Sequence, residues 1–370
     1  MTHRERFIKL FTGERVDRAP FIEFMGGCNF NSCLPRWKTE GLAADADWAD
    51  VRRIIGFDYI QGNPRSNYID AKIFFFPEFE VKFVKREGDK TYVRNRWGGL
   101  ELQKDGSELM PLTIEGPVED RVTWEAVKWR LSGLTAERMP PEIERIRDEF
   151  AESGIPVYAG DLPAGFFGAL REMVGFENLM YLFYDEPELV SEMLDTLCDL
   201  WITMYSELQK HVPIDFVLIW EDMCGKTGSL IGLDMFREFL LPRYKRLISA
   251  IRANGCPLFM VDSDGDERPL VPLWEESGVN IVVPWESQFG MDVAEVRRQH
   301  PTLGIIGGLD KHSLEFSKKE MDAELAKVPY MLEKGRYIPS VDHGLTSDVP
   351  WDNYLYFYNS LRELIYKYAY

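Results

Sequence analysis

Acidic residues in this sequence recur directly after short apolar runs, and acids so placed can do chemistry together. Asp161 follows Ile155–Gly160, Glu221-Asp222 follows Phe216–Trp220, and Asp262-Ser263-Asp264-Gly265-Asp266 follows Leu258–Val261. Further along, Trp285-Glu286 follows Val279–Pro284, Asp310 lies just beyond Gly304–Gly307, and Asp342-His343 lies just beyond Tyr337–Ser340. Carboxylates gathered in one place repel one another unless they hold protons or a cation. A divalent metal or a cationic substrate group would relieve that repulsion. A single Asp in such a place is also a good N-cap for the next helix. The recurrence, with three acids in five residues from Asp262 to Asp266, carries more than any one of them.

The apolar runs are short, and several are β-branched. They alternate with amphipathic stretches at helical spacing, among them Leu179–Leu208, broken at Tyr184-Asp185-Glu186-Pro187, then Asp234–Ala253 and Pro350–Tyr368. This alternation predicts a buried parallel sheet flanked by helices, either doubly wound or closed into a barrel. In barrels the reactive side chains follow the strands. The first run, Ala19–Phe24, leads into Met25-Gly26-Gly27-Cys28-Asn29, which makes Cys28 a candidate substrate contact, although buried cysteines are also ordinary core filler. Cys224 carries the same two readings. One segment, 77–112, breaks the rhythm: alternating residues on either side of Gly88-Asp89 predict a β-hairpin excursion from the main sheet.

Composition narrows the function. The chain has 370 residues, 45% hydrophobic, with a formal net charge of −18. Nothing in it resembles the basic field that displaces counterions from nucleic acid, and no apolar run reaches the roughly 20 residues of a membrane span. Five cysteines at irregular spacing, without a CxxC pair, predict free thiols in a reducing compartment. A charged N-terminus without an apolar leader segment fits a cytoplasmic protein. With no linker or repeat, the expectation is one domain over residues 1–370.

The pattern resembles the uroporphyrinogen decarboxylase superfamily over nearly the whole chain. The resemblance rests on Arg4-Glu5-Arg6-Phe7, Arg15-Val16-Asp17-Arg18-Ala19-Pro20, Phe167-Gly168-Ala169-Leu170-Arg171 and Gly175-Phe176-Glu177-Asn178-Leu179. Trp220-Glu221-Asp222-Met223, Gly307-Gly308-Leu309-Asp310 and Asp342-His343-Gly344-Leu345 complete it. It implies a single (β/α)8 barrel, from which the 77–112 segment, read from its own alternation, would be an excursion. The decarboxylases of this superfamily hold substrate carboxylates with two arginines in an N-terminal Phe-Met-Arg-Gln-Ala-Gly-Arg stretch. The matching stretch here, Phe24-Met25-Gly26-Gly27-Cys28-Asn29-Phe30, has neither.

The other branch implied by the resemblance is zinc-dependent methyl transfer with a corrinoid carried by a partner protein. Its His-x-Cys motif and C-terminal Cys match Asp262, Asp264 and His343 here, so these three are the expected zinc ligands. An oxygen-rich set keeps the ion hard and favours an oxygen-bound substrate over a thiol. The expected reaction is therefore demethylation of a small aromatic methyl ether, with Glu221, Asp222 and His343 as catalytic candidates and Glu221 or Asp222 open also as a fourth metal ligand. Asp161, Lys226, Trp285 and Asp342, together with Cys28, are the expected substrate contacts. Two alternatives stay open: a decarboxylase, and a non-catalytic barrel that binds a small molecule or corrinoid.

Overall fold

In the computed structural model, which describes residues 1–23, 30–58, 67–107, 110–133 and 135–368, the apolar runs form parallel strands. In chain order the strands are β1 (Asn67–Tyr68), β2 (Lys82–Glu87), β3 (Lys90–Arg94), β4 (Leu100–Lys104), β5 (Leu112–Glu115), β6 (Val157–Gly160) and β7 (Phe216–Trp220). They continue with β8 (Cys224–Gly225), β9 (Gly228–Ser229), β10 (Leu258–Asp262), β11 (Ile281–Trp285), β12 (Gly304–Leu309) and β13 (Tyr337–Val341). The main sheet has seven strands in the order β1-β6-β7-β10-β11-β12-β13. Every pairing in it is parallel.

Strands β6, β7, β10, β11, β12 and β13 are buried along their whole length, so their two faces differ by partner and not by polarity. Phe216 and Leu218 of β7, Leu258 and Met260 of β10, Ile281 and Val283 of β11, Ile306 and Ile338 share one inner cluster. The alternate residues, Val217, Ile219, Phe259 and Val261, pack outward against the helices. Alternate residues of most strands meeting in one inner cluster show that the sheet curls, as in a TIM-like barrel. Phe7 and Phe11 of the helix His3–Thr12 join this inner cluster.

Residues 19–23, expected as the first strand, form no ladder. The Phe21 N–H donates to the Asp58 carboxylate and its carbonyl accepts from the Asp58 N–H, both at 2.9 Å. Its backbone groups are thereby spent on Asp58, 37 residues away, and not on a neighbouring strand. Ile22 still fills the inner cluster. The segment expected as a hairpin carries more: β2-β3-β4-β5 is a four-stranded antiparallel sheet, with the Gly88-Asp89 turn joining Glu87 to Lys90. This sheet is tied to the helix Phe166–Val174 through Thr113, whose hydroxyl donates to Glu172 at 2.7 Å, and through the Val118 N–H to the Met173 carbonyl at 2.9 Å. No helix among the described residues is long and apolar enough to cross a membrane.

Candidate active site

Parallel strands bring all their C-terminal ends to one rim. Beyond β7 the chain stays against β10: the Glu221 N–H donates to the Asp262 carbonyl at 2.8 Å. Asp222 then turns with φ +43°, a conformation that costs a non-glycine residue of order 1 kcal/mol and tends to persist where a site requires it. The result is that carboxylate oxygens of Asp222, Asp262 and Asp264 lie within 4.8 Å of one another. Asp262 is almost sealed, at 4% exposed. His343 Nε2 reaches one of the three, Asp264, at 3.3 Å from Oδ1.

The electrostatics follow from this crowding. Burial, and next the charge of Asp264, push the Asp222 carboxyl up to about 6, although Arg171 opposes them. Burial works against a charged His343, yet the hydrogen bond and charge of Asp264 outweigh it, and the imidazole pKa is raised. Among the described residues two basic side chains face the cluster at short range: His343, and Arg171, whose guanidinium is 3.5 Å from the Asp222 carboxylate. Deeper still, Glu267 is fully buried; burial and then the charge of Asp262 hold its carboxyl well above the usual range.

The fold sends other candidates elsewhere. Glu221 is fully buried and turned away from the cluster. Its carboxylate accepts the N–H groups of Phe166 and Phe167 at 2.7 Å and of Gly168 at 2.9 Å, and the Tyr244 hydroxyl donates to it. It caps the helix Phe166–Val174, whose N-terminus offers unsatisfied N–H groups and a positive dipole end. Gly165 and Gly168 make this possible, since a Cβ on either would meet the Trp220 carbonyl. Burial pushes Glu221 up to about 7 against these four donors. It is a positioning residue. Glu221→Ala is expected to destabilise the protein by about 3 kcal/mol, because it strands buried donors; urea unfolding measures this, and an unchanged midpoint would refute the capping role.

Trp285 is also fully buried, with its indole N–H donating to the Met291 carbonyl at 3.0 Å; it is core. Asp342 is fully buried and accepts the N–H groups of Ser287 at 2.8 Å and Lys311 at 3.0 Å. Burial pushes its carboxyl up to about 6, and its work is to tie the loops after β11 and β12 to β13. Asp161, at φ +102°, accepts the N–H of Leu162 at 2.9 Å within its own turn. Lys226 is exposed on the β8–β9 turn. Cys28 lies outside the described residues. Cys224 is buried, and burial drives its thiol far up, which suits filler better than a nucleophile.

The sequence model of the family described as "Uroporphyrinogen decarboxylase (URO-D)" matches residues 143–364. The chain belongs to this family. Its relatives divide in their names. A uroporphyrinogen decarboxylase of Geobacillus kaustophilus is 25% identical over 168 residues, which is 45% of this chain and 46% of that protein. A methylated-thiol–coenzyme M methyltransferase of Methanosarcina mazei is 26% identical over 148 residues, 39% of this chain and 36% of that protein. The chain thus spans about half or less of the length of these curated relatives. A solved methyltransferase from Methanosarcina mazei shares the fold with a TM-score of 0.60 at 13% identity, covering 98% of this chain and 99% of that one.

Family membership makes zinc the metal to test against the residues present. Three carboxylates and a nearby imidazole are acceptable zinc ligands, and the same oxygen-rich set suits manganese or magnesium. The upward push that Asp264 adds to the Asp222 carboxyl is what a bound cation would cancel, so the donor set fits a divalent ion. The geometric triad is Asp222, Asp262 and Asp264, where sequence pointed to Asp262, Asp264 and His343. Two residues escaped the sequence reading. Arg171 looked like part of a helix motif, and Glu267 stood one step beyond the acidic run; only the fold shows that both face the cluster.

Proposed function

We propose that this chain is a metal-assisted methyltransferase that moves a methyl group from a small aromatic methyl ether to a corrinoid carried by a partner protein. The observation that carries the reading is the convergence of Asp222, Asp262 and Asp264 at one rim, within 4.8 Å, with His343 beside Asp264. Asp222, Asp262 and Asp264 would hold the ion, and zinc bound there would supply Lewis acidity toward the ether oxygen. His343 Nε2 holds a proton against Asp264 Oδ1 and delivers it to that oxygen as the methyl–oxygen bond breaks. The electron pair of that bond stays on oxygen, and the methyl carbon forms its new bond to cobalt. Asp264 keeps the imidazole oriented for this transfer. Among the described residues the buried thiols of Cys198, Cys224 and Cys256 are free, which fits a cytoplasmic setting.

The metal is tested without turnover. Zinc or manganese added to chelator-treated protein is expected to raise the melting temperature, by an amount that grows with the ratio of metal to Kd. Asp262→Ala and Asp264→Ala should abolish the response. No stabilisation by either ion would remove the metal from the proposal.

The reaction is tested with methoxylated aromatics and a Co(I) corrinoid, following the methyl–cobalt(III) absorption. A panel of ethers giving no methyl transfer, while a porphyrinogen loses carbon dioxide, would transfer the assignment to the decarboxylases. That outcome would also show that the arginines missing at Gly26 and Phe30 are dispensable.

A further inference from the structure

One cleft adjoins the acid cluster, and its lining is unlike it. It has a volume of about 590 Å³ and lies between β5 of the antiparallel sheet and the helix Phe166–Val174. Ligand pockets generally fall between about 300 and 1,000 Å³. Leu112, Ile114, Phe176 and Trp220 are among its apolar lining. Leu112 is 58% exposed and Phe176 37%, which is much apolar surface to leave in water on a chain of net charge −18. The polar end of the cleft is made by Arg171 and Asp222, and Asp222 belongs to the acid cluster as well.

Arg171 is fixed in place. Its guanidinium lies 4.7 Å from the centre of the Trp220 ring, and one Nη donates to the Asp222 carbonyl at 2.8 Å. Of its five N–H donors, these contacts and the long approach to the Asp222 carboxylate engage two. Among the described lining residues Arg171 is the one base. Glu172, also in the lining, is buried and bonded to Thr113, so its carboxyl is turned into the wall.

We propose that this cleft is the ring subsite of the methyl donor. It takes a flat, apolar aromatic ring against Leu112, Ile114 and Phe176, with the ring's oxygen at the Arg171–Asp222 end and Arg171 donating to that oxygen as it gains its proton. The subsite rests on the methyl-transfer reading for the identity of its ligand, and its own evidence is the placement of an apolar slot against one fixed guanidinium. It names the substrate class: aryl ethers without a further charge on the ring, in preference to alkyl ethers or aryl carboxylates.

The probes are 4-nitrophenol, whose phenolate is coloured, and its neutral methyl ether, added to zinc-supplemented protein. The wild type should bind both and lower the phenol's pKa by about one unit, a tenfold preference for the phenolate. Arg171→Met should erase the pKa change while the neutral ether still binds. Leu112→Glu, at an exposed position that leaves folding alone, should weaken both ligands at least about tenfold. Binding that ignores Leu112→Glu, or a pKa change that survives Arg171→Met, would overturn the subsite. Its failure is separable from that of the parent reading. Ring binding that follows Leu112 and Arg171 without any methyl transfer would sink only the reaction. Methyl transfer from aryl ethers unaffected by Leu112→Glu would sink only the subsite.

Discussion

Asp262→Ala is expected to remove methyl transfer from every donor, whereas His343→Gln is expected to remove it from ethers alone. The difference follows from what each side chain supplies. Asp262 is the most deeply buried of the three clustered acids, at 4% exposed, and its carboxylate would be needed to hold the ion whatever the leaving group. Loss of even an outer-shell partner of a metal commonly costs 10- to 100-fold, so loss of a direct ligand should cost at least about 100-fold. His343 has a narrower task. An ether must leave as an alkoxide or phenolate, and a phenol has a pKa of about 10, so a proton is needed at the oxygen as the bond breaks. General-acid catalysis is typically worth about 10²- to 10⁴-fold, and that is the expected loss for an ether. A methyl thioether leaves as a thiolate, a soft donor that a bound zinc ion would hold without a proton. It should lose little in His343→Gln and nearly everything in Asp262→Ala. The measurement is the rate of methyl–cobalt(III) formation for an aryl ether and a thioether in both variants. Equal losses for the two donors in His343→Gln would make His343 a residue that orients Asp264 and not a source of protons.

The sequence made the rim legible and the direction of its side chains illegible. Acids after strands are visible because parallel strands are short apolar runs and their C-terminal ends share one edge. Glu221 and Asp222 are neighbours in sequence, and both follow β7, yet they part company. Glu221 goes to the N-terminus of the helix Phe166–Val174, and Asp222, at positive φ, goes to the cluster. That choice depends on Gly165 and Gly168, which let the helix end approach the Trp220 carbonyl, and on Tyr244 from the helix Leu241–Ala253. None of these is near Glu221 in sequence. Trp285 and Asp342 went inward for a similar reason. A residue at the last position of a strand can still face the helix layer, and an apolar or tied side chain gains more there than at the mouth. The antiparallel sheet shows the converse case. Its alternation around Gly88-Asp89 is a local signal, but the third and fourth strands, Leu100–Lys104 and Leu112–Glu115, have weak alternation and are held in the ladder by tertiary pairing.

Raising the pH from 5 to 8 is expected to cost this protein stability through its buried carboxyls, and Glu23→Gln is expected to remove the share that Glu23 contributes. Glu23 is 4% exposed and accepts the hydroxyls of Tyr358 at 2.6 Å and Tyr354 at 3.3 Å. Both tyrosines sit on the C-terminal helix Trp351–Lys367, so this network fastens the start of the chain to its end. Burial pushes the carboxyl up from 4.5 to about 7, against the opposing pull of Tyr358, Arg52 and Tyr354. The sign is fixed by linkage. Between about 4.5 and 7 the folded state keeps a proton that the unfolded chain has released, so stability falls as pH rises. Below 4.5 both states are protonated and the contribution is complete; above about 7 both are ionised and it is lost. At 1.36 kcal/mol per pKa unit, the displacement is worth on the order of 3 kcal/mol. Gln keeps an oxygen for Tyr358 to donate to and carries no charge to desolvate. Glu23→Gln should therefore match the wild type near pH 5 and exceed it by on the order of 3 kcal/mol at pH 8. Denaturant unfolding at the two pH values decides the matter. A variant that follows the wild-type pH profile would show that Glu23 is ionised throughout, with the two tyrosine hydroxyls and Arg52 compensating its burial in full.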